Sequence, residues 1–194
     1  MDPTLPHLSI AMVRPTLDDL PRAPLPAPFS FRRYQPGDVA AWVRIHALAD
    51  KFNVASPALF AERFGSDESE LRERQLYLCD GAGDAIGTIT AWHNDHYPGL
   101  CRGRVHWVAI VPAYQGRGLG KPLLAACLRR MVDLGYESAY LTTNPPRVPA
   151  INLYLGFGFA PDVRSAEERD AWRLLEDRIR GEFRDVIREA TCCA

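Results

Sequence analysis

The stretch RVHWVAIVPAYQGRGLGKPLLAACLRRM, residues 104–131, constrains the fold more than any other part of the chain. The run at 105–111 is nearly continuous in apolar character, as in a central strand covered on both faces. Three glycines at alternate positions follow, Gly116, Gly118 and Gly120, and a helix-like apolar repeat then runs to about Leu134. A buried strand that passes through a glycine loop into a helix needs neighbouring strands on its edges, so the remaining segments have to supply a sheet.

They do. FSFRRYQ alternates Phe29, Phe31 and Arg33 against polar neighbours and reads as a strand. Pro36-Gly37-Asp38 is a turn with Asp38 placed to cap a helix, in which Val39, Trp42, Ile45, His46 and Ala49 recur at helical spacing. Shorter helical pieces are expected around 57–64 and 67–74. QLYLCD and AIGTITAWH are strands joined by the hairpin signal GAGD, SAYLTT is another strand, and PAINLYLGFGF reads as a short helix leading to a last strand near Phe159. Ser165 and Glu168 form a capping box, ahead of an apolar stripe through Trp172, Leu175, Ile179, Phe183 and Ile187 along one helix. Such a stripe is normally buried, here on the body or on a second subunit, so a homodimer is one expectation. The proline-rich start cannot form a long helix and is expected to lie as an extended arm. The domain reading is therefore an arm at 1–28, a folded body at 29–162, and a C-terminal amphipathic helix and tail at 163–194. No internal repeat interrupts this mixed α+β order.

Composition narrows the partners. The formal net charge of −1 gives no global field for nucleic acid or an anionic membrane, which favours a small substrate. Cys79, Cys101, Cys127, Cys192 and Cys193 are odd in number and lack a CxxC spacing, which favours free thiols in a reducing cytoplasm over a disulfide framework. The terminal cysteines do not make a prenylation signal, because Thr191 stands fourth from the end. They are read as a frayed tail. No cationic start with a long apolar run suggests secretion, and no segment is long enough to span a bilayer.

Glycine-rich loops between strand and helix commonly hold phosphate. A Walker loop is excluded, since Gln115 stands five positions before Gly120 and Lys121 is followed by Pro122 rather than a hydroxyl residue. The dinucleotide fingerprint also fails, because the third glycine it requires falls on Lys121 or Leu123. Alternate glycines nevertheless let successive backbone N–H groups face one concavity, and a helix starting there adds its free N–H groups and positive dipole end. Pro122 is tolerated in a first turn, and Arg117 and Lys121 add charge. A pyrophosphate suits such a nest, although a ligand-free tight turn uses glycine too.

The residues VAIVPAYQGRGLGKPLL resemble the acyl-CoA-binding signature of the GNAT superfamily of N-acyltransferases, Q/R-x-x-G-x-G/A, with Gln115, Gly118 and Gly120 in its positions. A second segment, TTNPPRVPAINLYLGFGF, looks like the same family's A-I-x-L-Y-x-x-x-G-F stretch through Ala150, Ile151, Leu153, Tyr154, Gly158 and Phe159. The two cover roughly residues 75–160. The resemblance implies a layered α+β fold with a mixed, mostly antiparallel central sheet, flanked by helices and splayed into a V between two parallel central strands.

It also implies a chemistry. Acetyl-CoA as co-substrate would lie in the splay, pantetheine against the backbone of Val108, Ala109 and Ile110, pyrophosphate on Gln115, Gly116, Arg117, Gly118, Leu119, Gly120 and Lys121. Tyr154 fills the position of the general acid that protonates the departing thiolate. Many relatives carry a glutamate base where this chain has Arg104, so His106, two residues on, becomes the candidate proton acceptor, its ordinary pKa near ~6.5 suiting the task. Asp95 and His96 in the loop WHNDHYPGLCRGR border the expected acceptor pocket. His93 and His96 have metal-like spacing but no third ligand, so no metal is expected. The expected activity is N-acetyl transfer to the amine of a small molecule or peptide. The alternatives are a non-catalytic acyl-CoA sensor, or transfer to a hydroxyl or thiol.

Overall fold

A computed structural model describes residues 5–97 and 99–192. Seven strands form one sheet: β1 (Ile10–Arg14), β2 (Ser30–Arg33), β3 (Gln75–Cys79), β4 (Ala85–Trp92), β5 (Arg102–Ile110), β6 (Ser138–Thr143) and β7 (Ala160–Asp162). Their order across the sheet is β2-β3-β4-β5-β6-β1-β7, and β5–β6 is the parallel pair among antiparallel neighbours. The helices are α1 (Val39–Ala49), α2 (Pro57–Phe64), α3 (Glu68–Arg74), α4 (Gly120–Asp133), α5 (Val148–Leu155), α6 (Ala166–Glu176) and α7 (Arg184–Cys192). None is long and apolar enough to cross a membrane. Both α1 and α4 pack on β4 and β5, which explains why β4 is buried along nearly its whole length.

The parallel pair is short. β5 and β6 are in register from Arg102↔Ser138 to Arg104↔Tyr140, and beyond that point each keeps a partner on its outer side alone, β4 for β5 and β1 for β6. The strands therefore part in a V, and the inner backbone edge of β5 from residue 105 onward is left without a ladder partner. That edge leads directly to the glycine loop.

Two segments depart from the sequence reading. The N-terminal arm is not merely laid across the body, because residues 10–14 are inserted between β6 and β7 as β1. IAMVR is the proline-free apolar stretch between Pro6 and Pro15, and Ile10 and Met12 are fully buried. Pairing there satisfies backbone groups on both β6 and β7 that would otherwise be open edges. Arg14 follows the strand into the interior, donating to the carbonyls of Phe157 and, at 2.7 Å, of Asp19. The sheet thus takes in residues 10–14 of the stretch expected as an arm.

At the other end, the stripe expected on one helix is split. α6 starts at Ser165, whose hydroxyl accepts from the Glu168 N–H at 3.1 Å, while the Glu168 carboxylate takes the N–H of Arg164 at 2.7 Å. It stops at Glu176, and a short 3-10 turn at Gly181–Phe183 separates it from α7. Trp172, Leu175, Ile179 and Ile187 are still buried, now against the body, with α7 packed on β7 and α6. Asp38 shows a smaller departure. It occupies the N-cap position of α1, but its carboxylate takes the Arg32 guanidinium (2.6 and 2.8 Å) and the Gln35 N–H (2.7 Å) instead of the helix. Cys193 lies outside the described residues, and Cys192 is exposed at the end of α7.

Candidate active site

The loop after β5 is built to leave donors free. A 3-10 turn at Pro112–Tyr114 ends β5, and Gln115 Nε2 reaches back to the Ile110 carbonyl at 2.7 Å, which fixes the loop's entry. Gly116 and Gly118 then take φ of +75° and +77°, and a Cβ built on either meets nothing within 4 Å. The N-cap of α4 is Leu119, whose side chain cannot cap, and Pro122 has no N–H. Among the described residues no acceptor takes the backbone N–H groups of 116–121, and the first recorded intrahelical donor is Leu123, to Leu119 at 3.2 Å. A row of unpaired donors at the positive end of a 14-residue helix has the geometry and charge to hold a phosphate-type anion. Arg117 folds back on the loop, donating to the Ala113 carbonyl at 3.0 Å with its guanidinium 4.8 Å from the Tyr114 ring centroid. A Cβ on Gly120 would lie 3.1 Å from Leu153 Cδ2, so α5, which carries Tyr154, and the start of α4 are in contact.

Tyr154 is 7 % exposed. Burial pushes its phenol up to about 12, with the Arg147 cation pulling the other way. A phenol in that state keeps its proton through the physiological range, and giving it to a thiolate, the weaker base of the two, requires close contact in the transition state.

On the opposite wall, β5 carries a bulge. Thr88 pairs with Ala109 but Thr90 with His106, so β5 spends one extra residue there, and Trp107 adopts φ +50°. A bulge of this kind bends its strand and re-aims the backbone beside it. Aromatic packing holds it: Trp107 lies 5.0 Å from both Trp42 and His46, centroid to centroid. His46 is 2 % exposed, its Nε2 has no partner, and burial depresses its pKa to about 4. Sequence periodicity identified His46 as a core position of α1 and had no signal for the bulge, since Trp107 looks like any apolar strand residue.

His106 sits differently from what a proton acceptor needs. Its ring packs on Phe64 at 5.6 Å and on Trp107 at 6.1 Å, and burial, reinforced by the Arg104 and Arg63 cations, drives its pKa far below the ordinary value. Arg104 fills the crotch of the V. It pairs with Asp95 and donates to Thr142 Oγ1 at 3.3 Å. Asp95 also accepts from the Tyr140 hydroxyl, so its carboxylate is engaged from two sides. His96 lies against Tyr140 and Tyr97, while His93 turns away to Glu70 and Tyr136. The loop residues thus brace the closed end of the splay. At its other side Arg147, at the start of α5, bridges to Asp50 at the end of α1 (both contacts 3.1 Å) above the Phe52 ring.

A family model described as the acetyltransferase (GNAT) family matches residues 42–159. The chain belongs to this family. The GNAT domain is 33 % identical over 147 residues to a mycothiol acetyltransferase of Pseudarthrobacter chlorophenolicus, covering 73 % of this chain and 45 % of the relative. It is 36 % identical over 104 residues to one of Corynebacterium aurimucosum, covering 50 % and 32 %. The chain therefore spans less than half the length of these curated relatives. In fold it is similar to a GCN5-related N-acetyltransferase from Sphaerobacter thermophilus (TM-score 0.65, 21 % identity, 79 % of this chain and 48 % of that one). A GCN5-related N-acetyltransferase from Kribbella flavida aligns with a TM-score of 0.54 at 18 % identity, covering 78 % and 53 %. Strands β3 to β6, with the parallel pair, and the loop ahead of α4 fall inside the matched GNAT segment, whereas β1, β2, β7 and residues 163–192 lie outside it.

Proposed function

We propose that this GNAT domain transfers the acetyl group of acetyl-CoA to an amine by direct attack, with no covalent acetyl-enzyme. The observation that carries this reading is the row of unpaired N–H groups at 116–121, set between the open edge of β5 and the α5 segment that bears Tyr154. The loop would hold the pyrophosphate, and the free edge around Val108 and Ala109 would run along pantetheine. A backbone N–H from the bulged region would face the thioester oxygen, a type of contact worth about 3–4 kcal/mol of barrier. Tyr154 is the proton donor to the departing thiolate. The names of the curated relatives support acetyl transfer, and the acceptor is taken as the amine of a small molecule or peptide.

The proton on the acceptor is the harder part. An alkyl ammonium of pKa near ~10.4 must lose it before attack. His106 and His46 are both held neutral and weakly basic by burial, and Arg104 occupies the glutamate position, so the amine is expected to deprotonate to solvent before it enters the V. Cys127 is buried with its thiol pushed up by desolvation, and Cys79 likewise, so neither is an activated nucleophile. The free cysteines suit a reducing compartment, and the cytoplasm is the proposed location.

Direct attack is tested by initial rates with acetyl-CoA and an accepted amine both varied, alongside the intact mass of protein treated with acetyl-CoA alone. Intersecting double-reciprocal lines and an unchanged mass are expected. Parallel lines with an acetylated cysteine would overturn the mechanism.

A further inference from the structure

We propose that the C-terminal segment at 180–183 completes the coenzyme site, with Arg180 gripping the 3′-phosphate of CoA and making the protein discriminate against the dephosphorylated coenzyme. This rests on the acetyl-CoA reading above. A cavity of about 340 Å³ opens beside the glycine loop, between the first turn of α4, α5 and the turn before α7. Lys121, the last residue of the unpaired N–H row, lines it together with Asn152, Phe157, Arg180, Glu182 and Phe183. A coenzyme whose pyrophosphate sits on that row sends its pantetheine arm along β5, so its nucleotide end leaves on the other side of Lys121. The cavity is the concave space waiting there.

Its chemistry suits a phosphorylated nucleoside. Lys121 and Arg180 bring two cations against one carboxylate, Glu182. Arg180 and Glu182 approach no closer than 4.0 Å, with their side chains 62 % and 64 % exposed, a loose pair that a phosphate can replace. The guanidinium fork matches phosphate oxygens in two-point contact. Phe183, partly buried, offers apolar surface for a purine. The segment is also held in place: Arg180 N–H donates to Asn152 Oδ1 at 2.9 Å, Ile179 is buried, and a Cβ on Gly156 would come within 3.6 Å of Phe183 Cζ. These tethers hang the cation on α5 itself. Arg180, Glu182 and Phe183 themselves lie beyond the matched GNAT segment.

The test compares the binding of CoA and 3′-dephospho-CoA by calorimetry for the wild type, Arg180→Ala and Glu182→Gln. The wild type is expected to prefer CoA by roughly tenfold, as for a charge-assisted phosphate contact at a partly open site. Arg180→Ala should lose that preference while holding 3′-dephospho-CoA as tightly as before, and Glu182→Gln should keep or widen it. Unligated melting temperatures confirm that the exposed substitutions leave the fold intact. Equal wild-type affinity for the two ligands, or an equal loss of both in Arg180→Ala, would overturn the role of Arg180 and leave the acetyl-CoA reading standing. Failure of the wild type to bind CoA at all would overturn both.

Discussion

Gly118→Glu is expected to abolish acetyl-CoA binding. In the wild type, acetyl-CoA at a hundred times its dissociation constant should raise the melting temperature by roughly 5–10 °C, the mass-action stabilisation of about 2.7 kcal/mol spread over a chain of this size. Gly118 has φ +77° and its missing Cβ faces open space, which is where the anion would sit. A glutamate there puts bulk and a negative charge onto the unpaired N–H groups. Any side chain at this φ also strains the backbone by about 1–2 kcal/mol. Gly118→Ala carries the same strain without the charge, so it should lower the unligated melting temperature as Gly118→Glu does, yet keep part of the ligand-induced rise. An undiminished rise in Gly118→Glu would remove the loop from the site.

Tyr154→Phe should cut turnover by about a hundredfold, the usual worth of a positioned general acid, while acetyl-CoA affinity stays within about twofold. The phenylalanine keeps the packing on Phe159, 6.1 Å away between centroids, so the effect is chemical. The pH dependence follows from the same shifts. With His46 depressed to about 4 and His106 driven down as well, neither histidine changes charge between pH 6 and 9. With Tyr154 at about 12, the acid stays protonated over that span. The rate should therefore climb with pH as the acceptor amine loses its proton, about tenfold per unit well below the amine's pKa, with no inflection near 6.5. His106→Gln should leave that slope in place. A histidine-like limb that disappears in His106→Gln would instead restore His106 as the base, and wild-type turnover in Tyr154→Phe would eliminate Tyr154 as the acid.

The parts of the fold that were legible are those where local pattern and tertiary environment agree. β3, β4 and β5 alternate or run apolar as buried strands do, and the glycine loop declared itself because glycine alone takes such a φ without strain. β1 was hidden because its five residues sit in proline-rich surroundings and become a strand through β6 and β7, distant partners that no local window contains. The break between α6 and α7 was hidden for the opposite reason: an apolar spacing that fits one helix also fits two helices folded onto the same core. In the site, the spacing of the glycines suggested an anion nest, and the family resemblance alone put Tyr154 forward as the acid. The fate of a histidine was not legible. His106 looks in sequence as a base would, and what lowers its basicity, packing on Phe64 and Trp107 beside the Arg104 and Arg63 cations, comes from residues distant in the chain or out of view of any local pattern. Asp95 likewise resembles a ligand for a cationic amine until Arg104 and Tyr140 are seen to hold its carboxylate.

The most direct test of acetyl transfer to an amine is release of free CoA thiol from acetyl-CoA across a panel of small and peptide amines, with mass spectrometry of each product. The prediction is thiol release that depends on an amine and matches, mole for mole, the formation of its N-acetyl derivative. Tight acetyl-CoA binding without amine-dependent release anywhere in the panel, or acetyl found on a hydroxyl or thiol of the acceptor, would contradict it.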